Sequence, residues 1–315
     1  MIYEPRTMNH KPRTILMIRP VDFGFNEQTA ESNAFQNPDA DQQIVQEKAL
    51  AEFDNFVHIL RDNGVDVTVI EDTPEPHTPD SIFPNNWVSF HENGDVFLYP
   101  MQAENRRLER REDIIRELEE KFKVGHVIDL SRFEKQGQFL EGTGSMVLDR
   151  ENKIAYACLS PRTDADVLHA FCEHTGYKPV LFNAVDKNGK AIYHTNVLMA
   201  IAAKYVVICL EAITDDDEME AVIDVISSTE KEIIAISLEQ MNRFAGNMLE
   251  VYNDKGESLI VMSQAASESL DDEQKEVLSS FSKPIFADIS TIEQNGGGSV
   301  RCMMAEVWLP VVVHG

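Results

Sequence analysis

The sequence predicts a mixed α/β propeller, in which a strand–strand–helix–strand unit recurs five times in a radial arrangement. Three observations predict it. Strand-like alternation and helix-like spacing of apolar residues follow one another in the same order along the chain. That order restarts at nearly even intervals, so five units of about 60 residues fill the 315-residue chain, and even repetition favours radial packing with few exposed sheet edges. No long linker or low-complexity tract interrupts the pattern, so a single domain is expected over residues 1–315, with 1–13 as a flexible tail.

The first unit opens with the apolar run Thr14–Arg19 (TILMIR), which ends at Pro20 and reads as a buried strand. Residues 41–63 place Ile44, Phe53, Phe56, Val57 and Leu60 at helical spacing, and Gly64 stops the helix. Residues 65–70 (VDVTVI) then alternate as a half-buried strand. In the second unit, strands at 87–90 and 96–99 flank the Asn93-Gly94 turn. A charged helix is expected over 104–122, with Leu108, Ile115, Leu118 and Phe122 on one face, and a strand at 125–130. The third unit reads as strands 145–148 and 154–158, helix 165–174 and strand 179–182. The fourth has strands 197–202 and 205–210, helix 216–228 and strand 232–236. The fifth has strands 248–252 and 258–262, helix 271–282 and strand 284–287.

Composition narrows the function. The chain is 43% hydrophobic and 26% charged, which is ordinary for a globular protein and argues against disorder. Acidic residues outnumber basic ones 54 to 28, leaving a formal charge of −26 that repels phosphate backbones and anionic lipid. Nucleic acid and membrane are therefore not expected as partners; a homo-oligomer is compatible with the sequence. The first residues lack the apolar core of a secretory signal, and the most apolar stretch, 197–213, is broken by Lys204 and Glu211. Cys158, Cys172, Cys209 and Cys302 have no C-x-x-C spacing, so reduced thiols in a cytoplasmic protein are expected.

The chemistry-bearing segments are short and polar. Asn295-Gly296-Gly297-Gly298-Ser299-Val300-Arg301-Cys302 sets a cysteine just after three glycines, whose backbone a ligand can approach closely. Such a cysteine is a candidate nucleophile; read blandly, it is one small residue of a core strand after a flexible loop. Tyr193-His194-Thr195-Asn196 precedes an apolar strand and offers a histidine as acid and base, or simply a surface loop. Glu141-Gly142-Thr143-Gly144 sets a carboxylate before two glycines, and Pro84-Asn85-Asn86-Trp87 puts paired amides at a strand entry. Arg162, in Ser160-Pro161-Arg162-Thr163, and the pair Arg106-Arg107 are candidate anion clamps, because guanidinium groups grip carboxylates bidentately. There is no P-loop ending, zinc spacing or calcium loop, so no metal and no cofactor is expected.

In this order the segments resemble the guanidino-group-modifying (pentein) superfamily of arginine deiminase, dimethylarginine dimethylaminohydrolase and glycine amidinotransferase, whose members are five-fold pseudo-symmetric α/β propellers. The resemblance spans almost the whole chain. It implies Cys302 as nucleophile, His194 as acid and base, Glu141 as its orienting carboxylate and Arg162, with Arg106 or Arg107, as the clamp for a substrate carboxylate. Two departures are informative. Family members that bind a cationic guanidinium usually place aspartates where Asn86 and Asn196 stand, and the deiminase Glu-Gly-Gly-Asp motif has become Glu-Gly-Thr-Gly here. An amide donates to a carbonyl and accepts from an NH₂, whereas a buried carboxylate facing a neutral group is costly. A neutral ureido group, as in citrulline, is therefore the expected target, and the sequence is similar to the citrulline-utilisation hydrolases of the superfamily. The alternatives are a guanidino substrate, as for a deiminase, dimethylaminohydrolase or amidinotransferase, and a non-catalytic binding protein on the same fold.

Overall fold

The computed structural model describes residues 14–30, 33, 35, 36 and 42–312; the expected 1–13 tail lies outside the described residues. Five three-stranded sheets form, and all five are built alike. In each, a central strand runs antiparallel to a first neighbour and parallel to a third. The parallel pairing demands a crossover, and a helix supplies it every time. Val88–Phe90, Asp95–Leu98 and His126–Asp129 make one sheet, and Val147–Asp149, Ile154–Cys158 and Lys178–Phe182 the next. Met199–Ile201, Tyr205–Ile208 and Glu232–Ala235 make another, and Leu249–Tyr252, Ser258–Ser263 and Lys283–Ala287 the fourth. The remaining sheet joins the two ends of the chain: Ala305–Val307 pairs antiparallel with Thr14–Arg19, which pairs in parallel with Asp66–Glu71.

The sequence pattern accounts for this packing. Central strands such as Ile154–Cys158 are buried at every position, as strands covered on both faces must be. The helix Gln42–Asp62 buries Val45, Ala49, Phe53, Phe56, Val57 and Leu60 along one stripe. Phe53 and Phe56 are wholly buried, each contributing roughly 1.5–3 kcal/mol of transfer free energy. The other crossovers are Glu112–Glu119, Ala165–Thr175, Asp216–Ser227 and Asp272–Phe281.

Three expectations are corrected in detail. The helix expected over 104–122 is two pieces, a 3₁₀ turn Asn105–Glu109 and the helix Glu112–Glu119, separated by Arg110 at ψ 88°. The Arg110 guanidinium is drawn to the Tyr99 carbonyl at 2.9 Å and to Glu134, and the break leaves Leu108 50% exposed. Ile44, assigned to the buried stripe, is 48% exposed at the start of its helix. The strands expected from 145 and 197 begin later, because Gly142–Ser145 and Thr195–Leu198 are single helical turns.

Those turns position the site. The first strands of the units lie side by side: Ala305–Val307 against Val88–Phe90, and Met199–Ile201 against both Val147–Asp149 and Leu249–Tyr252. Each is entered through a short turn: Pro84–Asn86, Gly142–Ser145, Thr195–Leu198, 242–246 and 300–303. Neighbouring turns are tied together. Thr143 Oγ1 donates to the Asn85 carbonyl (3.4 Å), Thr195 Oγ1 to the Ser145 carbonyl (2.6 Å) and Asn247 Nδ2 to the Asn196 carbonyl (2.9 Å). The Arg301 N–H closes the series by donating to Asn247 Oδ1 at 3.0 Å.

Candidate active site

Four of the turns bring Asn86, Glu141, His194, Asn196 and Cys302 into one buried cluster, and the 242–246 turn adds Asn247, all of them 5% exposed or less. His194 Nε2 lies 2.8 Å from Glu141 Oε2. The carboxylate is an acceptor, so the imidazole carries its proton on Nε2, and the basic lone pair is left on Nδ1. Nδ1 faces Gly144, where an added Cβ would approach it to 2.8 Å and would also collide with Asn86 Nδ2. Only glycine leaves room for both groups.

Glu141 is wholly buried yet well supplied with partners. The Gln102 N–H donates to Oε1 at 3.0 Å, Arg162 Nη1 stands 3.5 Å from Oε2 and Arg106 Nη1 4.0 Å from it. Burial alone would raise its pKa; Arg162, His194 and Arg106 outweigh burial and hold the group well below the usual carboxylate range. His194 moves the other way on balance. Burial lowers it more than Glu141 raises it, and its pKa falls to about 4, so the imidazole is neutral near pH 7. Glu141 thus pulls the imidazole toward its cationic form, and desolvation outweighs that pull.

The two arginines of the pair divide. Arg106 turns inward: its guanidinium grips Glu109 through two hydrogen bonds (2.8 and 2.9 Å) and donates to Asn86 Oδ1 at 2.9 Å. Arg107 stays nearer the surface and donates to the Met101 and Gln102 carbonyls at 3.0 and 3.2 Å, bracing the backbone whose N–H holds Glu141. Arg162 lies 4.9 Å from the Tyr193 ring and donates to the Thr29 carbonyl at 2.9 Å. Ser160 explains its motif: the hydroxyl accepts from the Arg162 N–H at 3.1 Å and donates to the Tyr193 carbonyl at 2.8 Å.

Cys302 Sγ meets two side-chain amides, Asn247 Nδ2 at 3.4 Å and Asn196 Nδ2 at 3.5 Å. Burial pushes the Cys158 and Cys172 thiols up to about 12 and the Cys209 thiol to about 11. The glycine run is only partly a loop: Asn295 and Gly296 end the helix Ser290–Gly296, and Gly297 takes φ +65° beyond it. Gly297 lies so close to the Asn33 amide that a Cβ would come within 2.5 Å of it, while Gly296 and Gly298 press on the Phe83 ring.

A cavity of about 10 Å³, room for about one water, is lined by Asn86, Arg106, Arg162, His194, Cys302 and Asp80, among others. Several atoms here are buried without a hydrogen-bond partner: Asn86 Nδ2, Asn196 Oδ1 and Asp80 Oδ1. Asp80, Glu109 and Asn247 were not singled out from sequence. Asp80 and Glu109 read as ordinary charges; the signal for Asn247 is the Gly246-Asn247 pair just before a strand, the position Asn86 holds in its own unit. Among the described residues, no group of three or more His, Cys, Asp or Glu is arranged to hold a metal ion, and no helix is long and apolar enough to cross a membrane.

A family model described as N,N dimethylarginine dimethylhydrolase, eukaryotic, matches residues 19–309. The chain belongs to this dimethylhydrolase family. No curated protein matches it in sequence. Solved structures agree with the fold of the family. The N-terminal domain of ArgZ, an arginine dihydrolase from the ornithine–ammonia cycle in cyanobacteria, solved as a variant with bound substrate, superposes with TM-score 0.74 at 19% identity, over 95% of this chain and 99% of that one. The dimethylhydrolase from Pseudomonas aeruginosa, solved as a variant with citrulline, superposes with TM-score 0.63 at 18% identity, over 94% and 99%. Unliganded AgrE superposes with TM-score 0.69 at 20% identity, over 96% of this chain and 40% of that one. The expected superfamily and its α/β propeller therefore hold for this dimethylhydrolase-family chain.

Proposed function

We propose that this chain is a hydrolase that uses Cys302 to cleave the ureido group of citrulline, giving ornithine, carbon dioxide and ammonia. One observation carries the choice of a neutral group. Asn86, which lines the same cavity as Cys302, presents an unpartnered donor, and Asn196, whose Nδ2 meets the sulfur, an unpartnered acceptor; both are buried. The orientation of Asn86 is unambiguous, because Arg106 only donates and must face Oδ1. A ureido group offers the complementary pair, a carbonyl oxygen and an NH₂.

The proposed steps follow from the groups present. The Cys302 thiol loses its proton to the neutral His194, and the thiolate attacks the ureido carbon. The imidazolium, paired with Glu141, returns that proton to the departing amine as the tetrahedral intermediate collapses. The resulting thiocarbamate on Cys302 is hydrolysed by a water that gives its proton to His194, which restores the thiol. A cavity of about 10 Å³ cannot hold an amino acid, so binding displaces groups that now fill the space. The Thr29 carbonyl on Arg162 stands where a substrate carboxylate would be gripped, and Asp80, with one free oxygen, faces the same cavity and suits the substrate ammonium.

A guanidino substrate is the second reading, favoured by that same free carboxylate oxygen of Asp80 and by the arginine chemistry of ArgZ. Incubation with citrulline, arginine and methylated arginines, with ornithine and ammonia assayed separately, tests both. Ornithine from citrulline supports the proposal; turnover of arginines with none of citrulline replaces it with the second reading, and turnover of nothing replaces it with a binding protein.

A further inference from the structure

Asn247 lies one residue after the 242–246 turn, remote in sequence from every motif recognised at the outset. Its side chain is 1% exposed and its orientation is dictated from both ends. Oδ1 accepts from the Arg301 N–H at 3.0 Å, and Nδ2 donates to the Asn196 carbonyl at 2.9 Å. An N–H can only donate and a carbonyl only accept, so the amide cannot be reversed. Its second Nδ2 hydrogen is left for Cys302 Sγ at 3.4 Å, while Oδ1 lies farther from the sulfur, at 3.8 Å. The turn itself is held at a cost: Phe244 adopts φ 63°, which bulky residues avoid, and its carbonyl accepts from the Asn247 N–H at 2.8 Å.

The charged and titratable surroundings of Cys302 supply little positive charge. Arg301, on its own turn, spends its guanidinium on the Met304 carbonyl (2.9 Å) and Glu306 (3.1 Å). From the other elements come Tyr193, the neutral His194, Asp80, and the arginines Arg106 and Arg162, each already facing carboxylates. A guanidinium substrate would bring its own cation to the sulfur; a ureido substrate brings none.

We propose that Asn247, together with Asn196, stabilises the Cys302 thiolate by direct amide donation, in place of the positive charge that a neutral substrate does not provide. This rests on the reading of Cys302 as the nucleophile, and its link to substrate choice rests on the ureido reading. The thiolate accepts both N–H donors; without substrate the thiol proton is lost to solvent as pH rises, whereas in turnover it is His194 that takes it. Hydrogen bonds to a charged group favour the charged form, so losing one raises the thiol pKa by about one to two units.

The test needs no substrate. Iodoacetamide alkylation of Cys302, followed by peptide mass spectrometry across pH, gives a midpoint and a plateau rate for each protein. In Asn247→Ala the midpoint is expected to rise by about one to two units, slowing alkylation at pH 7 about tenfold or more. Asn247→Asp keeps the size and the acceptor for Arg301 N–H, and it is expected to raise the midpoint at least as far. A merely structural role would change the plateau through accessibility and leave the midpoint in place. Should Asn247→Ala fail to fold, Asn247→Asp and Asn196→Ala carry the comparison. Unchanged midpoints in the folded variants overturn the proposal. Since citrulline turnover is measured separately, an enzyme inactive on citrulline removes the ureido reading without touching the midpoints.

Discussion

Restoring a carboxylate at Asn86 is the sharpest probe of substrate charge. In Asn86→Asp one oxygen keeps the 2.9 Å bond from Arg106 Nη1, and the other replaces the unpartnered Nδ2 facing the cavity. Against a ureido carbonyl the change swaps a donor for a second acceptor, a loss of about 1–3 kcal/mol for an unsatisfied buried group. Against a guanidinium the same oxygen gains a charge-assisted bond of about 1.5–3 kcal/mol. The gain is tempered, since Arg106 already faces Glu109 at 2.8 Å, Asp80 at 3.8 Å and Glu141 at 4.0 Å, and a fourth acid adds like-charge repulsion. A net shift of about 3 kcal/mol is expected, which lowers the citrulline-to-arginine ratio of kcat/KM by about 100-fold. The assay is that ratio by ornithine release, with dissociation constants for both ligands in a Cys302→Ala background as a check on binding. A ratio unchanged within about threefold, in a protein that retains its circular dichroism, refutes the claim that Asn86 reads charge.

Three other outcomes are expected. Cys302→Ser and His194→Ala each abolish turnover by similar amounts, because nucleophile and acid act as a unit, and quenched wild-type turnover shows an adduct on Cys302 alone by mass spectrometry. Gly144→Ala drives a methyl into Asn86 Nδ2 and toward His194 Nδ1, and loses about 100-fold or more in kcat from misplaced groups while remaining folded by circular dichroism. His194 is buried neutral, with a pKa of about 4 against 6.5 unfolded, so the unfolded chain binds the extra proton between those values. Stability is therefore lost as pH falls from about 6.5 to 4, by up to about 3 kcal/mol from this residue, and urea melts of His194→Gln are expected to lack that part of the decline.

Local pattern alone made much of this molecule legible. Alternation and apolar runs locate most of the strands, and the stripe Phe53, Phe56, Val57, Leu60 locates the first crossover helix, because side-chain period follows directly from backbone geometry. The site turns were visible as glycines and polar residues at strand entries, where a backbone must pass close to its neighbours. The unevenness of Asn105–Glu109 and Glu112–Glu119 was not visible, because the break answers to the Tyr99 carbonyl and Glu134, groups that meet Arg110 only after folding. The strand Ala305–Val307 likewise completes the sheet of Thr14–Arg19 from the far end of the chain, and no local signal records that pairing. The same holds for chemistry. Residue types named Cys302, His194 and Glu141 as candidates, and the departures at Asn86 and Asn196 pointed to a neutral group. Only tertiary packing decided that Arg106 is enclosed by Glu109 and Asn86, that burial outweighs Glu141 at His194, and that Asn247 reaches the Cys302 sulfur. Hydrogen-bond partners and desolvation are properties of the folded surroundings, which a residue's sequence neighbours do not specify.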